Sequence, residues 1–151
     1  MVPQKVKIWT IGHSNRSFEN FLTLLKENTI KIVVDIRRFP TSKWQHFIKE
    51  NLEALLEKNG IKYIHLGQEL GGFRSGGYKK YMRTKAFRKG IDELLYIAKK
   101  DSACIMCAEW NPMACHRWYV SEYLSKLRCE VMHIISRTNI KSHEELPPKK
   151  K

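Results

Sequence analysis

The sequence predicts a single α/β domain, with a mainly parallel, five-stranded sheet and helices on both faces, in a Rossmann-like or flavodoxin-like three-layer sandwich. Short apolar runs of strand length alternate with amphipathic segments of helix length, which is typical of repeated strand–helix–strand units. The runs are apolar at successive positions, as strands covered by helices on both sides require. A length of 151 residues suits one such domain with a sizeable core.

Hydrophobic periodicity places the elements along the chain. The five strands are expected at residues 6–11, 31–35, 61–66, 103–107 and 131–135. Four helices are expected between them, at about residues 18–25 with Ser17 as cap, 47–56, 87–98, and 112–127 with Pro112 in its first turn. The domain is expected over residues 1–137, and residues 138–151 are expected to be a basic, flexible C-terminal tail. These patterns do not fix the order of the strands, for which a flavodoxin-like order is assumed.

The charge balance points to anionic partners. The chain has 28 Lys plus Arg against 15 Asp plus Glu, a net charge of +13. This excess favours a phosphate-bearing small molecule or nucleic acid as ligand, although a solvated lysine-rich surface would give the same composition. No apolar stretch approaches the roughly 18 residues of a membrane span, and the N-terminus lacks the apolar region of a signal peptide. We therefore expect a cytoplasmic protein that does not enter a membrane; its oligomeric state is not predicted.

Polar residues follow the predicted strands at one edge of the sheet. In an open parallel sheet, ligands bind outside the carboxyl ends of the strands. The first strand leads to His13 and Asn15, the second ends at Asp35 followed by Arg37 and Arg38, and the fourth leads to Glu109. The third leads into residues 67–77, which hold five of the eight glycines, including Gly71 and Gly72, and are followed by a basic aromatic stretch from Tyr78. The loops at the opposite edge contain ordinary turn residues.

The segment 104–117 carries the most chemistry. Cys107 ends the fourth strand, and Cys115 follows a turn signal, with His116 and Arg117 beside it. A thiol in the first turn of a helix starting at Pro112 is acidified by the free backbone N–H groups there. Cys115 is therefore a candidate nucleophile, and Cys107 could approach it as a redox or metal-binding partner. Cys104 and Cys107 are not expected to act as a pair, because residues three apart on a strand point to opposite faces. Cys104 and Cys129 are interpreted as structural.

Two sets of candidate site residues follow. The catalytic candidates are Cys115, His116, Glu109, His13 and Asp35. The arginines among the ligand-binding candidates could clamp a phosphate or carboxylate, since a guanidinium pairs bidentately with oxyanions. The ligand-binding candidates are Asn15, Arg37, Arg38, Gly71, Gly72, Arg74, Tyr78, Cys107 and Arg117. No cofactor or metal is predicted: the chain has no nucleotide-binding glycine fingerprint and no second C-x-x-C that would support zinc. His133 on the fifth strand is interpreted as a core histidine.

Several motifs in this order resemble those of the domain of unknown function 488 family. They comprise residues 10–15 (TIGHSN), 35–42 (DIRRFPTS), 70–74 (LGGFR) with Gly77-Tyr78, 106–109 (MCAE), Cys115-His116-Arg117, and 131–134 (VMHI). The resemblance covers roughly residues 8 to 135. It implies which positions matter and carries no established activity.

Three functional hypotheses follow. The first is an enzyme-like cleft that binds a phosphate-bearing ligand through arginines and uses Cys115 as the reactive group. The second is a non-catalytic nucleic-acid-binding module, indicated by the charge and by Tyr78 and Tyr81 among lysines and arginines. The third is a thiol redox protein that uses Cys107 and Cys115.

Overall fold

A computed structural model describes residues 5–147, which form a three-layer α/β/α sandwich. The strands are β1 (Lys7–Gly12), β2 (Ile32–Asp35), β3 (Lys62–His65), β4 (Ala103–Cys107), β5 (Glu130–Ser136) and β6 (Asn139–Ser142). The helices are α1 (Phe18–Glu27), α2 (Lys49–Lys58), α3 (Gly67–Leu70), α4 (Tyr78–Tyr81), α5 (Lys85–Lys100) and α6 (Arg117–Lys126), with 3-10 turns at Gln45–Phe47 and His143–Glu145. Within the described residues, no helix combines the length and apolar character needed to cross a membrane.

The sheet has the strand order β3-β2-β4-β1-β5-β6. Its first five strands are mutually parallel, as predicted, and only β6 runs antiparallel, against β5. The order differs from the assumed flavodoxin-like one because β4 inserts between β1 and β2. The carboxyl ends of β1, β2 and β4 are therefore adjacent at the centre of the sheet.

Each face of the sheet buries its own hydrophobic core. One core packs α1 and α2 onto the sheet through Phe21, Leu25, Leu52 and Leu56. The other packs α5 and α6 onto the opposite face, in contact with residues such as Phe87, Ile91, Leu94, Val120 and Leu124. Cys104 belongs to the first core and Cys107 to the second. The prediction that these two cysteines face opposite ways is confirmed.

Helix α1 shows how local sequence sets an element. The Ser17 hydroxyl accepts a hydrogen bond from the Asn20 N–H, as the predicted cap requires, and Glu19 lies in the first turn. The apolar face of the helix is buried through Phe21, Leu24 and Leu25. The chain after α1 turns through Thr29 and enters β2.

Helix α6 begins at Arg117 and not at Pro112, so the predicted start is wrong. Before the helix, the Asn111 side-chain oxygen accepts from the Met113 N–H, and the Asn111 carbonyl accepts from the Ala114 N–H. These bonds close a turn over residues 111–114 in place of a first helical turn. Cys115 therefore lies just before the helix.

The sheet has six strands and not five. Residues 139–142, placed in the predicted flexible tail, form β6 because they hydrogen bond to the free edge of β5. The 3-10 turn that follows puts His143 into the interior, where it is 5% exposed. Residues 148–151 of the predicted tail lie outside the described residues.

Candidate functional site

The candidate site lies at the carboxyl ends of β1, β2 and β4, where backbone pairing continues past the strands. The His13 N–H donates to the Cys107 carbonyl at 2.9 Å, and the Ser14 N–H donates to Ala108 at 2.9 Å. A Cβ on Gly12 would overlap the Glu109 carbonyl, so only glycine lets the two chain segments approach this closely. The segment 12–14 and the segment 107–109 thus form one continuous floor.

Two thiols meet on this floor. The Sγ atoms of Cys107 and Cys115 lie 2.7 Å apart, compared with about 2.05 Å in a disulfide bond. Cys107 is 1% exposed, whereas Cys115 is partly exposed, and all four cysteines of the chain are free thiols. The turn over residues 111–114 lies between the two cysteines along the chain.

The environments of the two thiols drive their pKa values apart. A hydrogen bond from Cys107 lowers the pKa of Cys115 to about 7, against the opposing effect of burial, with help from the charge and the backbone N–H of Arg117. The Arg117 N–H lies 3.4 Å from the Cys115 sulfur. Burial raises the pKa of Cys107 well above its ordinary value. Near neutral pH, Cys115 is therefore the thiol that ionises first, and Cys107 is its hydrogen-bonded neutral neighbour.

Arg117 is a fully buried cation beneath the thiols, with 0% exposure. Its guanidinium donates to the Thr10 hydroxyl at 3.0 Å and to the Glu109 carbonyl at 2.9 Å, while its Nε finds no hydrogen-bond partner among the described residues. No Asp or Glu of the described chain forms a salt bridge with it. The Cys115 thiolate therefore supplies a counter-charge that the surrounding side chains do not.

A buried chain of hydrogen bonds runs from Arg117 to the surface. The Thr10 hydroxyl lies 2.6 Å from His133 Nδ1, and His133 Nε2 lies 3.0 Å from His143 Nδ1. His143 Nε2 in turn lies 2.9 Å from a Glu122 carboxylate oxygen, which is the exposed end of the chain. When both histidines are neutral, the Glu122 carboxylate accepts from His143, His143 accepts from His133, and His133 accepts from the Thr10 hydroxyl. Burial lowers the pKa of His133 to about 3, which keeps it neutral, as a core histidine.

The candidates Asp35 and Arg37 form a buried ion pair. Both Asp35 oxygens accept from the Arg37 guanidinium, at 2.9 and 2.8 Å, and the Tyr63 hydroxyl donates to the second at 2.5 Å. The remaining Arg37 nitrogen donates to the Phe47 carbonyl at 2.8 Å. Because each guanidinium nitrogen already has a partner in the protein, this pair fixes the end of β2.

Of the two candidate histidines, His13 is buried and His116 partly buried, and both bond to backbone carbonyls. His13 Nδ1 lies 2.9 Å from the Ser14 carbonyl, and its ring stacks on Phe47 with centroids 4.4 Å apart. Burial lowers the pKa of His13 to about 4. His116 Nε2 bonds to the Ile36 carbonyl at 2.9 Å, and burial also lowers its pKa. His116 therefore joins the start of α6 to the end of β2 as a neutral ring.

The glycine-rich segment packs against the residues that follow β2. A Cβ on Gly71 would overlap the backbone of Arg38, and a Cβ on Gly72 would lie 3.1 Å from His116 Nδ1. Arg74 closes the segment by donating to the Gly71 carbonyl at 2.9 Å. The Tyr78 hydroxyl donates to the Leu70 carbonyl at 2.7 Å, and its ring lies 5.6 Å from that of His116. These ligand-binding candidates border the thiol site.

The remaining candidates lie at the outer edge of the thiol site. Glu109 is exposed and contributes its backbone carbonyl to Arg117, and Asn15 is exposed beyond β1. Arg38 is partly exposed and donates to the Phe73 carbonyl. The structure thus brings Cys107, Cys115 and Arg117 into one centre.

Two residues of the site are not among the candidates that the sequence predicts. Thr10 links Arg117 to His133, and Arg16 donates to the Gly12 carbonyl at 3.0 Å and to the Ile135 carbonyl at 2.7 Å, which joins the ends of β1 and β5. A threonine inside an otherwise apolar strand is a signal for Thr10, because a buried hydroxyl needs partners. Arg16 gives no such signal, since it follows a turn and resembles any surface arginine. The described residues contain no grouping of three or more His, Cys, Asp or Glu side chains that could hold a metal ion.

The architecture and the site define an α/β sandwich with a buried dithiol at the carboxyl ends of its central parallel strands. The chain belongs to the family described as domain of unknown function DUF488, whose model matches residues 17–124. Comparison with the curated proteins found no match, and comparison with the solved structures found none.

Proposed function

We propose that this protein is a thiol–disulfide redox protein in which Cys115 is the attacking thiolate and Cys107 the resolving thiol. The observation that carries the proposal is the 2.7 Å contact between a partly exposed and a buried sulfur. The opposite pKa shifts of the two thiols support the same assignment of roles. A thiol with a pKa near the ambient pH is the best attacking group in disulfide exchange.

The chemistry takes two steps. The Cys115 thiolate attacks one sulfur of a substrate disulfide, forms a mixed disulfide and releases the first substrate thiolate. Cys107 then attacks the Cys115 sulfur, which forms the Cys107–Cys115 disulfide and releases the second substrate thiolate, while the Cys107 proton passes to a released thiolate. The substrate disulfide is reduced and the protein dithiol oxidised, and an external dithiol reductant restores the starting state.

The burial of two arginines favours the redox proposal over the hypothesis that four arginines clamp a phosphate. Arg37 and Arg117 are 5% and 0% exposed, and their terminal guanidinium nitrogens donate to groups of the protein itself. An incoming anion would meet only Arg38 and Arg74 of the four arginines. Arg74 also stacks on the Tyr81 ring at 3.8 Å and donates to backbone carbonyls.

The test is the stoichiometry of reaction with a small aromatic disulfide such as Ellman's reagent. We expect the reduced protein to release two aromatic thiolates per chain and to end with a Cys107–Cys115 bond, detected by mass spectrometry. Cys107→Ser should release one thiolate and retain the adduct on Cys115. Cys115→Ser should react far more slowly, because the remaining thiols are buried.

The matched control is Cys129→Ala, which removes a thiol outside the pair and should keep the release of two thiolates. The proposal is wrong if Cys115→Ser reacts as fast as the unchanged protein. It is equally wrong if the unchanged protein retains a stable adduct on Cys115 without forming the internal bond.

A further inference from the structure

We infer that an exposed aromatic and basic surface beside the thiol site binds single-stranded nucleic acid by stacking its bases. This surface, the aromatic rim, consists of Phe39, Trp44 and Phe73 with the cations of the segments 36–49 and 70–91. It does not depend on the redox chemistry of Cys107 and Cys115.

Large exposed aromatic side chains concentrate at this edge of the sheet. Phe73 is 83% exposed and Phe39 60%, although phenylalanine is usually buried. Trp44, at 37%, follows the same strand as Phe39. All three come after the carboxyl ends of β2 or β3, the edge at which parallel sheets bind ligands.

The two phenylalanines are held together by the fold. Their ring centroids lie 5.9 Å apart with an angle of 41° between the rings. Phe73 has a φ of 60°, a left-handed conformation that is unfavourable for a bulky residue. An Arg38 hydrogen bond to the Phe73 carbonyl fixes that backbone, and Gly71 packs directly on Arg38. Exposed rings kept in a strained, braced position point to a binding role more than to packing.

The chain segments that carry the rings are rich in cations. The segments 36–49 and 70–91 contain eleven Lys and Arg residues and no Asp or Glu. Arg38 lies over the Phe39 ring at 5.4 Å, and Lys43 lies over the Trp44 ring at 5.2 Å. On α4 and at its end, Lys79, Lys80 and Arg83 are exposed. A partner must therefore be an extended polyanion that also offers flat apolar faces.

Single-stranded nucleic acid combines those two properties. Its phosphates can pair with the lysines and arginines of the aromatic rim. Its bases can stack on the aromatic rings independently of the nucleotide sequence. Duplex DNA offers the same phosphates but keeps its bases stacked inside, so it would use the cations without the rings. An acidic protein segment offers charge but lacks a regular series of aromatic faces.

The experiment measures binding by fluorescence anisotropy, using the full chain with a labelled 20-nucleotide oligothymidylate. We expect Phe73→Ala and Phe39→Ala each to weaken binding by roughly fivefold to 150-fold, the loss that corresponds to one stacked base. Tyr96→Ala is the matched control, since Tyr96 is an aromatic residue on α5 that is 62% exposed with Lys100 at 4.3 Å, outside the rim. This control should bind as the unchanged protein does, and binding should weaken with rising salt.

A duplex of the same length and polyglutamate are the competing probes. Both should bind more weakly than the oligothymidylate, and their binding should be insensitive to Phe73→Ala. The inference is overturned if the oligothymidylate does not bind, or if Phe73→Ala and Tyr96→Ala lose affinity equally. Tighter binding of polyglutamate would assign the rim to an acidic protein instead. Because Cys115→Ser should leave oligothymidylate binding unchanged, failure here is separable from failure of the redox proposal.

Discussion

Two chemically identical side chains differ at the site because their surroundings differ. Cys107 ends a strand covered on both sides, so its charged form would lose its hydration, whereas Cys115 sits where a backbone N–H and a buried cation face its sulfur. The neutral thiol can donate a hydrogen bond to the charged one. The acidity of Cys115 is therefore a property of the pair, and it depends on Cys107 keeping its proton.

Cys107→Ala tests this dependence. The substitution removes the donor with the largest influence on Cys115, so we expect the pKa of Cys115 to rise from about 7 while remaining below that of an ordinary buried thiol, because Arg117 stays in place. The measurement is the rate of iodoacetamide alkylation of Cys115 as a function of pH, read by mass spectrometry. Cys104→Ala, which changes a thiol on the opposite face of the sheet, should leave the midpoint at about 7. An unchanged midpoint in Cys107→Ala would assign the acidity to Arg117 alone.

At the residue scale, the sequence predicted which chemical groups gather but not how each is used. The residue types of Cys107, Cys115 and Arg117 and their position after a strand predict that they belong to a site, and the structure brings them together. The same grounds predict Asp35 and Arg37 as site residues, yet their side chains form an ion pair with each other. Sequence spacing does not reveal whether a guanidinium faces solvent or a neighbouring carboxylate, because that depends on packing between distant elements.

At the scale of elements, the chain of bonds from Arg117 to Glu122 connects β1, β5, α6 and the turn after β6. The ring of His143 also lies 4.5 Å from that of Trp118, so this turn packs on α6. The edge strand β6 is thereby attached to the site through polar contacts as well as through its pairing with β5. A polar connection of this kind stabilises only when all of its members are satisfied.

Thr10→Val and Thr10→Ser separate the hydroxyl of Thr10 from its shape. Valine keeps the size but removes the hydroxyl that pairs with Arg117 Nη1 and His133 Nδ1, so these two buried atoms lose their partner, and we expect a loss of about 2 to 4 kcal/mol in the free energy of unfolding. Serine keeps the hydroxyl and removes one methyl group, for which we expect a loss of about 1 kcal/mol. Urea unfolding at constant pH measures both. If valine were tolerated as well as serine, the chain of bonds would contribute nothing to stability.

Elements with strong periodicity could be predicted, and elements set by tertiary contacts could not. Helix α1 has a cap and a clear apolar face in its own sequence. The start of α6 could not be predicted because an Asn-Pro pair opens either a turn or a helix, and the Asn111 bond to the Met113 N–H suits both. Strand β6 is short and only partly buried, so its sequence lacks the apolar run that identifies a strand. Residues 139–142 become a strand because they pair with the free edge of β5.

At the scale of the whole molecule, polar groups are buried near the carboxyl ends of the strands, and several of them are histidines. His13 packs against Phe47 beside Arg37, Asp35 and His46, and His133 lies between Thr10 and His143 near Arg117. Both rings have a folded-state pKa far below the value of about 6.5 expected in the unfolded chain. Folding therefore requires them to be neutral, and acid opposes folding.

The free energy of unfolding should consequently fall as the pH drops below about 6.5. Between that value and about 4, the unfolded chain binds a proton at His13 that the folded protein does not, so stability changes by up to about 1.4 kcal/mol per pH unit for this residue. His13→Gln keeps a donor and an acceptor at the position but has no proton to gain, and its stability curve should be shallower by up to that amount. Urea unfolding at intervals from pH 8 to pH 5 measures both slopes, and above about pH 7.5 the two curves should run parallel because neither state of His13 is charged there. Identical slopes below pH 6.5 would mean that His13 accepts its proton inside the folded protein, and burial would then not keep its ring neutral.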